Sequence, residues 1–168
     1  MNLNNLSRTQ KLTVSAMVMA MYVVIMYLTQ SFAFGAYQIR IATSLYALSY
    51  SCPFLIVPLG LANMISNVLC GGLGPMDMIG GGIAGILTAG MIALIRKLDL
   101  NRLLIVPAIT FIPGLLVPIW LSYLLNLPYL PLATSLCVGQ AVCGVVGYLM
   151  IQALEKTVFH SKTNKVRI

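Results

Sequence analysis

The chain has 168 residues, 60% of them apolar and only 8% charged, with a formal net charge of +7 and a mean hydropathy of +0.95. That composition excludes an ordinary soluble domain and leaves room for one compact membrane domain over residues 1–168. The basic excess does not point to nucleic acid, because the cations sit at the ends of apolar spans rather than interleaved with aromatics on a polar face.

In chain order, Arg8 and Lys11 precede an apolar run from Leu12 to Leu28. The run exceeds the core of a secretion signal and suffices to cross a bilayer, so it reads as a first membrane helix, Leu12–Gln30, behind a cytoplasmic N-terminus of residues 1–11. Ala16 and Ala20 lie four apart on it, and such a pair admits close approach by a second helix, from within the bundle or from a partner. Further spans read as Pro53–Leu69, Met78–Ile95, Leu103–Leu125 and Leu130–Leu154, followed by a basic tail, residues 156–168.

Orientation decides the role of Ile41–Ser51. The Arg96, Lys97, Arg102 cluster and the tail should share the cytoplasmic side with Arg8 and Lys11. An even number of crossings must then separate Lys11 from Arg96, and counting Ile41–Ser51 as a short or tilted crossing restores the parity. The expected fold is an all-α integral membrane protein, a compact bundle of six transmembrane helices with both termini cytoplasmic. Nine of the ten basic residues are then inside, and Arg40 alone is outside. The short crossing ends at Cys52-Pro53, which either interrupts a span, as at transporter binding sites, or makes a simple turn.

Two charges stand apart. Between Lys11 and Glu155 there are six charged residues, four of them clustered at Arg96, Lys97, Asp99 and Arg102. Arg40 and Asp77 are isolated in apolar surroundings, and a charge at membrane depth costs about 2–3 kcal/mol even on the gentler insertion scales. Asp77 stands where a fourth helix begins, so its carboxylate can serve the helix dipole or a ligand. Tyr37, Gln38 and Arg40 fall in the first external loop, Asn63 and Asn67 one turn apart near the end of helix three, Asn126 at the end of helix five, and Gln140 a third of the way into helix six. Amides and a carboxylate at one depth suit a planar, nitrogen-rich ligand with donors and acceptors, although each residue alone can equally bond a neighbouring helix.

Gly81, Gly85, Ala89 and Ala93 form a small-residue stripe on helix four, and Gly139, Cys143 and Gly147 a shorter one on helix six, both suited to packing within the bundle. The four cysteines have neither CxxC spacing nor a nearby histidine, so no metal or redox site and no cofactor are expected. The only histidine is His160, and no nucleotide-binding loop or hydrolase motif is present. The chain is therefore not expected to be an enzyme or to hydrolyse ATP.

The basic N-terminus, the alanine pair and six spans in so short a chain resemble the substrate-binding S components of energy-coupling factor (ECF) transporters. Within that group, Tyr37-Gln-Ile-Arg-Ile-Ala-Thr-Ser-Leu-Tyr-Ala-Leu, Gly60-Leu-Ala-Asn-Met-Ile-Ser-Asn and Gly72-Leu-Gly-Pro-Met-Asp77 resemble the QueT family. The resemblance implies capture of a queuosine precursor, a 7-deazaguanine base, from outside the cell membrane. Asp77, Asn67, Asn63, Arg40, Gln38, Tyr37, Gln140 and Asn126 would be the binding residues. Ala16 and Ala20 would dock a transmembrane T component, and two ATPase subunits would supply the energy. QueT-like sequences carry a glutamate where this chain has Thr43, and its absence permits a base with a different side group, such as queuine. An S component for another vitamin-like solute, or a membrane scaffold without transport, are the other readings.

Overall fold

The computed structural model describes residues 6–33, 38–70 and 72–165, and among them it is helical throughout, with no strand. Helix α1 (Arg8–Leu28) opens with a capping box, in which Ser7 Oγ accepts from the Gln10 N–H at 3.3 Å and Gln10 Oε1 accepts from the Ser7 N–H at 2.9 Å. A single turn, α2 (Gln30–Ala33), follows. Next come a 3₁₀ helix, η1 (Ile41–Tyr50), and a second short one, η2 (Pro53–Leu55), which leads into α3 (Ile56–Leu69). Proline occupies the first turn of α4 (Pro75–Lys97), a position where its missing N–H has no helical partner to lose. A short η3 (Arg102–Leu104) runs into α5 (Ile105–Leu125), and α6 (Tyr129–Lys165) continues as helix into the region read as a basic tail. Four of these helices, Arg8–Leu28, Pro75–Lys97, Arg102–Leu125 and Tyr129–Thr157, are long and apolar enough to cross a membrane, and Pro53–Leu69 is a shorter apolar helix.

The ends of the bundle differ in chemistry. At one, Lys11 Nζ lies 5.9 Å from the Phe54 ring centroid and the Arg96 guanidinium 5.0 Å from that of Tyr50, while Arg96 and Arg102 both pair with Glu155. The start of α1, the end of η1, the start of α3 and the end of α4 therefore share this basic end. The opposite end gathers Arg40, Asn67, Asp77 and Trp120.

Why Ile41–Tyr50 is so short yet reaches along the bundle follows from its helix type. Ten residues rising about 2.0 Å each cover roughly 20 Å, against about 15 Å for an α-helix of the same length. Hydroxyls support the tighter winding, for Thr43, Ser44 and Ser49 each bond the carbonyl three residues back, at 2.7, 2.7 and 2.6 Å. Eight of its ten residues are buried, so a backbone form that lipid would punish is enclosed by α1, α4 and α6. η1 also keeps step with α4. Tyr46 lies against Gly85 and Ser49 reaches the Ala89 carbonyl at 2.8 Å; three 3₁₀ residues and four α residues each advance about 6 Å.

Helices α3 and α4 lie antiparallel and close. A Cβ added to Gly60 would meet Ile86 Cγ1 at 2.3 Å and the Gly82 carbonyl oxygen at 2.9 Å, and one added to Gly85 would stand 3.1 Å from Gly60 Cα. Outside the bundle the side chains are apolar, as at Leu61, Ile65, Val68, Ile79, Ile83 and Phe111. Gly60→Ala is expected to cost about 1–3 kcal/mol through overpacking. Gly90→Ala, whose Cβ would meet nothing within 4 Å, should leave stability unchanged or slightly raised. Thermal unfolding of the two variants in detergent checks this, and equal midpoints would contradict the close α3–α4 contact.

Candidate functional site

The polar residues at the end opposite the basic one form a connected network. Asn63 and Asn67, one turn apart on α3, face α4 and donate from their amides to its carbonyls: Asn63 Nδ2 to Gly81 O at 2.7 Å, and Asn67 Nδ2 to Asp77 O at 3.0 Å. Residue numbers fall by four on one helix as they rise by four on the other, the register of an antiparallel pair. Gly81 makes the ladder possible, since a Cβ there would stand 2.5 Å from Asn67 Nδ2.

Asn67 is the hub. Its Oδ1 accepts from Arg40 Nη1 at 3.1 Å, so the amide that holds α4 also holds the buried guanidinium at the start of η1. One turn along η1, Thr43 Oγ1 lies 2.7 Å from the Arg40 carbonyl and 2.8 Å from Gln140 Oε1, which brings α6 into the network. Tyr46, a further turn on, contacts the Tyr22 hydroxyl of α1 at 3.2 Å.

Asp77 lies in the first turn of α4 and is 2% exposed. Its Oδ1 accepts from the indole Nε1–H of Trp120 at 3.0 Å, and its Oδ2 takes a longer contact, 3.4 Å, from the Leu73 N–H. A carboxylate offers about four lone-pair positions, so two neutral donors leave it acceptor capacity.

Among the described residues, two buried acceptors have no hydrogen-bond partner, Asn63 Oδ1 and Gln38 Oε1. Gln38 also takes a left-handed backbone, with φ 41°, a conformation few residues other than glycine adopt. An unsatisfied buried acceptor costs about 1–3 kcal/mol. Retained in a bundle that also buries Arg40 and Asp77, such acceptors suit a ligand that presents N–H groups.

Arg40, Asn63, Asn67, Asp77, Gln38 and Gln140 are thus all buried, and four of them, Arg40, Asn67, Asp77 and Gln140, are joined by hydrogen bonds through Thr43 and main-chain groups. Asn126 is exposed and ends α5 in a left-handed conformation, φ 53°, with its N–H bonded to Ser122 O. Tyr37 lies outside the described residues. Ala16 and Ala20 both face outward on α1, away from buried Ser15, Val18, Tyr22 and Met26. Trp120 was not among the residues singled out in the sequence; as the chain's one tryptophan, 43 positions from Asp77, it gave no local signal.

Removing the hub while keeping its size, as in Asn67→Leu, takes one partner from Arg40 and one from the first turn of α4. Buried side-chain hydrogen bonds between membrane helices average about 0.6 kcal/mol, and those to charged groups are stronger, so a loss of about 1–2 kcal/mol is expected. Unfolding in detergent measures it, and an unchanged midpoint would mean that the network adds nothing to stability.

The sequence model of the family described as QueT transporter matches residues 12–156. No curated protein and no solved structure matches the chain.

Proposed function

The chain belongs to the QueT transporter family, a multi-pass membrane protein of transport function, and we propose that it is the substrate-binding S component of an ECF importer. In this reading α1, η1, α3, α4, α5 and α6 are six membrane crossings. The basic end, with Lys11, Arg96, Lys97 and Arg102, faces the cytoplasm as the positive-inside rule requires, and the Asp77 end opens to the exterior. Both termini are cytoplasmic and the membrane is that of the cell. A T component would dock on the outward alanines Ala16 and Ala20, and two ATPase subunits would drive uptake, since the chain carries no nucleotide-binding loop of its own.

The ligand is a queuosine precursor, a 7-deazaguanine base. The observation that supports this is the pair of unpartnered buried acceptors, Asn63 Oδ1 and Gln38 Oε1, together with a buried carboxylate that retains lone pairs. A deazaguanine edge presents N1–H and a 2-amino group together, donors that a carboxylate can accept in parallel. Arg40 and Gln140 would meet the carbonyl side of the ring. Asn126, exposed at the α5 terminus, would meet the ligand from the rim rather than from the buried network.

Thr43 bears on which base is taken. Its hydroxyl is neutral and already engaged with Gln140 and the Arg40 carbonyl, so no carboxylate stands at this position to meet an aminomethyl cation. A base with a neutral side group, such as the cyano precursor, needs no such partner, whereas queuine keeps a protonated amine in its side arm and would need its counter-charge elsewhere.

Calorimetric titration of the detergent-purified protein with queuine, the aminomethyl and cyano precursors, and guanine tests the assignment. A deazaguanine should bind more tightly than guanine, and Asp77→Asn should weaken that binding about tenfold or more, the worth of one charged hydrogen bond. Thr43→Glu should shift preference toward the aminomethyl base. Binding of no base would remove the substrate assignment, and an Asp77→Asn variant with unchanged affinity would leave Asp77 only its structural bonds.

A further inference from the structure

At the basic end, η1, the start of α3 and the end of α4 line an open cavity of about 450 Å³. Its lining is of two kinds. Pro53, Ile56, Ala93 and Leu94 make an apolar wall, while Tyr50, Arg96 and Lys97 stand at its polar side, and none of its lining residues is acidic. Gly90 lies on the α4 wall, and because nothing stands within 4 Å of where its Cβ would be, the absent side chain is part of the open space.

The charge around this cavity is one-sided. Arg96 and Lys97 line it, and Lys11, over the Phe54 ring, and Arg102 lie at the same end of the bundle. Glu155 is shared between Arg96 and Arg102, and Lys97 is exposed. Arg96 is held in place by the Tyr50 ring, 5.0 Å from its guanidinium, and spends only part of its five-donor fork on Glu155. Anchored cations next to an apolar slot between helices are the features by which membrane proteins hold acidic lipids.

We propose that this cavity is a binding site for an anionic phospholipid. The phosphate sits against Arg96 and Lys97, and an acyl chain lies along Ile56, Ala93 and Leu94. A free anion would leave the apolar wall unused. A partner helix would need a surface as long as itself, whereas this space has the volume of a small-ligand pocket. The bound lipid joins the end of η1 to the end of α4, the two elements that carry Arg40 and Asp77 at their far ends. The site does not rest on the identity of the transported base.

The full-length protein in neutral detergent is titrated with phosphatidylglycerol, with phosphatidylcholine of the same acyl chains, and with inorganic phosphate. Native mass spectrometry counts retained lipids and thermal unfolding follows stabilisation. Phosphatidylglycerol should bind saturably and raise the unfolding midpoint, and the other two should not. Lys97→Gln should weaken binding about fivefold, the worth of one lysine near an acidic lipid surface. Gly90→Leu should fill the slot and abolish saturable binding while unfolding no earlier than the parent without lipid, which separates loss of the site from loss of the fold. Equal binding of the two lipids, the same stabilisation by phosphate alone, or parental phosphatidylglycerol binding by both variants would each overturn the proposal. So would a Gly90→Leu protein that keeps its lipid but no longer associates with a T component, which would make the cavity a protein-docking surface.

Discussion

The contact on which the site depends is the approach of α3 to α4. Apolar attraction cannot bring two helices together in lipid, so they need small side chains to come close and polar bonds to hold register. Gly60, Gly81, Gly82 and Gly85 supply the first; Asn63 and Asn67, donating to the carbonyls of Gly81 and Asp77, supply the second. Each requires the other. With a side chain at Gly81 the Asn67 amide has no room, and without the amides the glycines would allow the helices to slide. Because Asn67 also accepts from Arg40, the same contact fixes where the cation sits relative to Asp77.

η1 is the second constraint. Its winding places residues three apart in line, so Arg40, Thr43, Tyr46 and Ser49 follow one another along the element as a polar series inside an apolar bundle. Each meets a different support: Asn67 on α3, Gln140 on α6, Tyr22 on α1 and the Ala89 carbonyl on α4. A central element tied to four surrounding helices can remain 3₁₀ for ten residues, well beyond the usual three or four, because every turn has a partner outside itself. Transporter sites at interrupted or irregular helices obey the same rule: irregular backbone persists in a membrane only where protein encloses it.

Much of this was legible in the sequence. The long apolar runs gave the helices within a few residues except at the end of α6, which continues eleven residues past Leu154 to Lys165, and charge parity asked for Ile41–Ser51 as a pass although it was too short for an α-helical one. What the sequence hid was the 3₁₀ winding that lets ten residues reach so far along the bundle. The polar period of three at positions 40, 43, 46 and 49 matches neither the 3.6 of an amphipathic helix nor the 2 of a strand, so it reads as irregular until the winding is known. The isolation of Arg40 and Asp77 and the one-turn spacing of Asn63 and Asn67 were visible as a cluster of similar depth. Trp120 was not, because an indole in an apolar helix looks like packing, and only the fold brings its N–H to the carboxylate. Asn126 ends α5, as its place in the sequence suggested, in the left-handed conformation that asparagine accepts more readily than most residues.

The two ends of the molecule treat charge in opposite ways. At the basic end Arg96 and Arg102 converge on Glu155, ion pairs that are partly exposed and of modest worth. At the other end a carboxylate that is almost wholly buried is met by neutral donors, an indole and a peptide N–H. Neutral dipoles orient a buried anion without cancelling its charge, so its remaining lone pairs keep their attraction for further donors. A full ion pair at Asp77 would have made a quieter and more rigid bundle. Partial satisfaction, together with the unpartnered oxygens of Asn63 and Gln38, costs folding energy that a ligand rich in N–H groups can return on binding.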